Sequence, residues 1–141
     1  MTALPLFDAA YSVGGVWYEV EDAAGTELCS HLMEESDDIT ALQNIAAAVR
    51  PGGPLVLAVQ QAHRSYQRPL PGGLVYAQEI RTEDDRYVKD YYIRRAGEIV
   101  AHQRCLFHAY PQDRADQLFA QCGFHFEHTT GDGLLRRYTR G

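Results

Sequence analysis

The stretch "SDDITALQNIAAAVRPGGPLVLAVQ", residues 36–60, decides how the rest of the chain is read. Ser36, Asp37 or Asp38 can cap a helix, because a short polar side chain accepts bonds from the free N–H groups of a first turn. Ile39, Leu42, Ile45, Ala46 and Val49 then recur at helical spacing and form one apolar stripe. Pro51, Gly52 and Gly53 stop the helix. "PLVLAVQ" (54–60) follows as a continuous apolar run, the pattern of a strand buried on both faces. Outward toward the N-terminus, "LFDAAYSV" (6–13) is a second run of that kind, ending at Gly14-Gly15. Strand, helix, glycine turn and strand form a β-α-β unit, which implies parallel strands and a right-handed crossover. Between the first strand and the helix, "GGVWYEVEDAAG" reads as a loop, and "TELCSHLMEE" (26–35) as a short helix with Leu28, Leu32 and Met33 on one face.

Outward toward the C-terminus the character changes. "GLVYAQEIRTE" (73–83), "RYVKDYYIRR" (86–95) and "EIVAHQRCLFHAY" (98–110) alternate polar and apolar residues, punctuated by "EDD" and "RAGE". That is an antiparallel meander with one wet face. "PQDRADQLFAQCGF" reads as a helix from near Pro111 to Gly123, and "FHFEHTTG" and "LLRRYTRG" as two closing strands. The 141 residues fit one domain, 1–141, with 61–110 as an insertion within it. Net charge is −6, which argues against a nucleic-acid partner, because phosphate binding needs a basic face. No apolar run approaches the roughly 18 residues of a membrane span. The start, "MTALPLF", lacks a basic leader, and Cys29, Cys105 and Cys122 form no framework spacing, so a cytoplasmic protein with reduced thiols is expected. Cys122, His125 and His128 alternate faces in a strand and do not converge, so no metal site is expected.

Three pieces in order, "FDAAYSVGG", "ALQNIAAAVRPGGPLVLAV" and "DQLFAQCGFHFEHTTGD", resemble the C-terminal half of class I S-adenosylmethionine-dependent methyltransferases of the small-molecule type. The resemblance implies an α/β fold: a partial Rossmann-like sheet in the order 4-5-7-6 of the family's numbering, with the meander inserted as an antiparallel cap over the substrate. The family's first half, with its glycine-rich cofactor loop and ribose-binding acid, has no counterpart here. Ligands in such sheets bind outside the carboxyl ends of the strands where strand order reverses. By that resemblance the chain owns one bank of the crevice only, and S-adenosylmethionine is its cofactor only if the missing half is supplied.

Candidate residues follow. The resemblance places Tyr11, Ser12, Val13, Gly14 and Gly15 along the methionine part of the cofactor. Trp17 and Tyr18 are candidates for the wall of the acceptor pocket, and Glu19, Glu21 and Asp22 for attraction of a cationic amine. His63, in the loop after the second strand, is the candidate general base, with Arg64 and Tyr66 beside it and His102 and His108 facing the acceptor from the meander. The expected function is the acceptor-binding half of a split or truncated methyltransferase acting on a small-molecule oxygen or nitrogen. The alternative is a non-catalytic subunit or interaction module. The strand at 6–13 lacks a neighbour on one side, so a homodimer or heterodimer through that edge is expected.

Overall fold

The computed structural model describes residues 5–141; residues 1–4, which open the "MTALPLF" stretch, lie outside the described residues. Ten strands and two helices follow in the order β1 (Ala10–Ser12), β2 (Trp17–Asp22), β3 (Gly25–Ser30), α1 (Glu35–Ala48), β4 (Pro54–Gln61), β5 (Tyr66–Leu70), β6 (Leu74–Glu83), β7 (Arg86–Arg95), β8 (Glu98–Pro111), α2 (Gln112–Gln121), β9 (Phe124–Thr129) and β10 (Leu135–Arg140). All strands join one sheet. Its order is β5-β6-β7-β8-β3-β2-β4-β10-β9, with β1 also paired to β4.

β4 is the axis of the molecule. On one edge it takes β1 in parallel (Ala10 opposite Leu55) and, one step further along, β2 in parallel (Glu19 opposite Val59). On its other edge it takes β10 antiparallel, and β9 pairs beyond it. The glycine turn before β4 has a steric cause. A Cβ on Gly53 would lie 2.6 Å from Val49 Cγ1 and 2.7 Å from the Asp8 carbonyl oxygen, and Gly52 sits at φ +79°.

Three local expectations need correction. Within the segment 14–35, Trp17–Asp22 and Gly25–Ser30 form a β-hairpin, not a loop and a short helix. Trp17, Tyr18, Glu19 and Val20 are all buried, alternating between the two faces of the sheet, and β3 is held by β2 on one side and β8 on the other. Cross-strand pairing on both edges overrides the weak helical spacing of Leu28, Leu32 and Met33. The helix begins at Glu35 without a side-chain cap, and Asp38 turns into the interior instead of capping it. The run at 6–13 is not buried on both faces: β1 is three residues long, and Leu6, Phe7, Tyr11 and Val13 are exposed.

Both helices pack on one face of the sheet. Leu42 of α1 and Ala115, Leu118 and Phe119 of α2 meet Leu55, Leu57, Trp17, Leu28, Phe124 and Tyr138 in the main core. A smaller cluster of Tyr18, Val20, Cys29 and Phe107, with Tyr87 and Ala109 against it, lies on the opposite face. β2 and β3 therefore feed two cores, one from each side. Beyond β8 the meander continues as long antiparallel strands, tied by the tight turns Asp84-Asp85 and Ala96-Gly97, the latter with both residues at positive φ.

Candidate functional site

Two hollows open side by side where β2 and β4 end, and they share Asp22 and Ala62. The larger, about 660 Å³, lies between the ends of those strands and the turn before β10; Glu21, Asp22, Gln60, Gln61, Arg64 and Asp132 line it. Three carboxylates against one guanidinium give it negative character. The smaller, about 100 Å³, lies beneath the loop that follows β4, walled by Val20, Ile80, Tyr87 and Phe107, with Cys29 and His63 inside and Asp22 and Glu27 at its edge. The position is set by topology: the loop after β4 crosses to the helix-free face and lays His63 over the second core.

His63 is held from two sides. Its Nε2 lies 3.1 Å from the Tyr18 hydroxyl and its Nδ1 lies 2.9 Å from Lys89 Nζ. The Tyr18 and His63 rings meet edge to face at 5.5 Å, and His31 flanks Tyr18 at 5.7 Å. Burial, and next the Lys89 charge, push His63 down to about 4, so the ring is neutral at pH 7. Burial raises Tyr18 well above the usual phenol range, and it stays protonated. Lys89 is buried and is itself lowered by burial; it has no carboxylate partner among the described residues, and its ammonium sits 4.7 Å from the Tyr91 ring centre.

Tyr18 and His63, 45 residues apart in sequence, are thus brought together. Arg64 reaches the larger hollow, while its carbonyl accepts a bond from Gln78 at 2.7 Å. The other expected acceptor residues lie elsewhere. Trp17 belongs to the core, where its indole N–H donates to Asp38 at 2.7 Å. His108 joins the same carboxylate at 3.0 Å, beside the Ser30 and Tyr110 hydroxyls, both at 2.6 Å. Asp38 is therefore a fully buried hub that ties α1 to β2, β3 and β8. Its four donors leave it no free lone pair for a ligand. His102 sits on the opposite face of the meander, 2.7 Å from Asp90, which also receives Arg81 and Arg104. Those bonds, Arg104 first, hold Asp90 far below the usual carboxylate range. Tyr66 packs on Tyr76 of the outer meander.

Glu19 is not at the surface with Glu21 and Asp22 but fully buried on the helix side. Tyr138 lies 3.3 Å away and Arg136 3.6 Å, yet one carboxyl oxygen, Oε2, has no partner, and neither does the nearby Gln112 Oε1. Burial raises Glu19 to about 7.

The stretch Tyr11 to Gly15 does not enclose a ligand. Tyr11 is 79% and Val13 61% exposed, and the Ser12 hydroxyl is spent on the Trp17 carbonyl at 2.7 Å. Gly14, at φ +66°, has open space where a side chain would stand. These residues form an exposed turn and not a closed pocket.

Two groups escaped the sequence reading, Lys89 and His31. The alternation in "RYVKDYYIRR" placed Lys89 on a wet face; only the pairing of β7 with β6 and β8 puts it under the His63 loop. His31 carried no signal beyond its residue type.

No protein-family description and no curated relative matches the sequence. Solved structures do match in fold. An S-adenosylmethionine-bound amino pentose methyltransferase from Micromonospora echinaspora, involved in calicheamicin biosynthesis, superposes on 100% of the chain at 18% identity and a TM-score of 0.64. The CcbJ methyltransferase from Streptomyces caelestis covers 96% at 9% identity and a TM-score of 0.68. A sugar N-methyltransferase from a Streptoalloteichus species covers 96% at 15% identity and a TM-score of 0.64. The chain spans 61%, 58% and 56% of those three proteins, respectively. At these identities the likeness is one of fold: a mixed α/β, sheet-dominated part of a small-molecule methyltransferase fold.

Proposed function

We propose that this chain forms the acceptor side of an S-adenosylmethionine-dependent methyltransferase, with a small amine as its methyl acceptor. The observation that carries this reading is the pair of joined hollows at the carboxyl ends of β2 and β4, in a fold shared with amino pentose and sugar N-methyltransferases. Methyl transfer asks little covalent chemistry of the protein. It asks that the acceptor be held in line and, where needed, relieved of a proton. Glu21, Asp22 and Asp132 supply attraction for an ammonium, the aromatic walls of the smaller hollow supply apolar contact, and His63 borders the position where a proton would leave. When bound, S-adenosylmethionine supplies the methyl group; Tyr11 to Gly15 would line one side of it.

The remaining side of the cofactor site belongs to residues beyond these. β1 uses one edge to pair β4 and leaves the other unpaired among the described residues, bordered by exposed Leu6, Phe7, Tyr11 and Val13. A strand-bearing segment docked there, from another polypeptide or a second copy, would both cover the edge and complete the crevice.

The test is a titration of isotope-labelled protein with an amino sugar and with its hydroxyl analogue. The amine is expected to shift amide signals at Asp22, Ala62 and His63, the hydroxyl analogue far less, and Asp22→Asn to weaken amine binding several-fold. Equal response to both sugars, or shifts confined to other parts of the sheet, would remove the amine reading.

A further inference from the structure

The neighbourhood of Lys89 contains a constraint that the acceptor reading does not use. An ammonium has hydrogen-bond donors and no acceptor. With Lys89 charged, Nζ donates to His63 Nδ1 across 2.9 Å, so the ring proton must sit on Nε2, where it donates to the Tyr18 oxygen across 3.1 Å. With Lys89 neutral, the Nζ lone pair can accept a hydrogen bond from Nδ1–H, and Nε2 then becomes an acceptor for the Tyr18 hydroxyl. The same three groups thus form a chain with two opposite directions.

We propose that Lys89 is a positioning residue whose protonation state sets the tautomer of His63, and with it the direction in which the Lys89–His63–Tyr18 chain can move a proton. In the charged state His63 has no lone pair to offer. In the neutral state Nε2 can take a proton from an acceptor that displaces Tyr18, while the Nδ1 proton passes to Nζ. The ring then ends neutral with Nε2 protonated, Lys89 ends as the ammonium, and one proton has moved from donor to lysine. Burial of Lys89 away from any carboxylate brings the neutral state within reach.

Lys89 faces His63 from the loop after β4, Tyr91 on its own strand, Tyr66 from β5 and Cys105 from β8. His63 faces Tyr18 and His31, with Asp22 and Glu27 at the cavity edge. Among the described residues none of these is a carboxylate bonded to Lys89 or to His63, so the lysine is the group that selects the tautomer.

The consequence for methyl transfer rests on the acceptor reading; the tautomer does not, and it is measured on the chain by itself. The protein labelled with ¹⁵N-histidine is followed by NMR from pH 6 to 11, with His63→Gln identifying the His63 signals. At pH 7 we expect Nε2 protonated and Nδ1 bare, and above the Lys89 transition the reverse. Lys89→Arg, charged throughout, should hold the Nε2–H form across the range. Lys89→Met should remove the switch. A wild-type ring carrying its proton on Nδ1 at pH 7, or one tautomer unchanged to pH 11, overturns the proposal without reference to either variant. Failure of amine binding, with the switch intact, would instead remove only the acceptor reading.

Discussion

The two faces of β2 behave in opposite ways for one physical reason. Toward the helices it presents Trp17 and Glu19; toward the His63 loop it presents Tyr18 and Val20. Each side holds an ionisable group away from water, and burial favours the neutral form of both. For the acid that means a rise, to about 7 in Glu19. For the base it means a fall, to about 4 in His63. One desolvation effect therefore writes two opposite dependences of stability on pH. Between about pH 4.5 and 7 the folded state keeps a proton on Glu19 that the unfolded chain has lost, so stability falls as pH rises. Between about pH 4 and 6.5 the unfolded chain holds a proton on His63 that the folded state refuses, so stability rises with pH. Over the shared window the two slopes partly offset each other, and the Glu19 slope prevails.

The largest effect on the helix side is expected at Asp38. Four donors converge on this one buried carboxylate, and removing it strands the Trp17 N–H, the Ser30 and Tyr110 hydroxyls and His108 in the interior. Asp38→Ala should destabilise the fold by about 3 kcal/mol or more, read as a loss in denaturant midpoint. A change under about 1 kcal/mol would mean that the hub is not formed in solution.

The next effects come from taking away one slope at a time. Glu19→Gln keeps the volume and removes the titration. It should turn a gently falling profile into one that climbs from about pH 4 to 6.5 as His63 sheds its proton, and the Glu19 limb removed is on the order of 3 kcal/mol. His63→Gln should give the converse, stability that declines from about pH 4.5 to 7. The His63 limb that it removes should be the smaller, about 1–2 kcal/mol, because the ring borders a cavity and is partly screened. Urea titrations at half-unit steps of pH would read both. If the two variants and the parent share one profile, neither buried group is displaced as described.

Much of the helix side could be read from residue order alone. The stripe Ile39, Leu42, Ile45 and the Pro-Gly-Gly stop place α1 and β4, because helix periodicity and glycine turns are local properties. The other side was largely hidden. "TELCSHLMEE" has helical spacing, but its first half becomes β3 because β2 claims one edge and β8, more than 70 positions away, claims the other. His63 and Tyr18 were each legible as candidates from residue type and place. Lys89 was not: a lysine in an alternating strand reads as solvated, and its burial depends on a loop from 26 residues earlier folding over it. Glu19 misled in the same manner, since its acidic neighbours Glu21 and Asp22 remain exposed while β2 carries it into the core.

We propose that these residues supply the acceptor side of a methyltransferase and only one wall of the cofactor site. A small ligand binds well when most of its surface is enclosed, and the turn from Tyr11 to Gly15 is open to solvent. Calorimetric titration of the isolated chain with S-adenosylmethionine tests this most directly. The expected result is no saturable heat up to about millimolar ligand, corresponding to binding weaker than roughly 4 kcal/mol. A micromolar affinity, near 8 kcal/mol, would contradict it, because the described residues would then hold the cofactor without help.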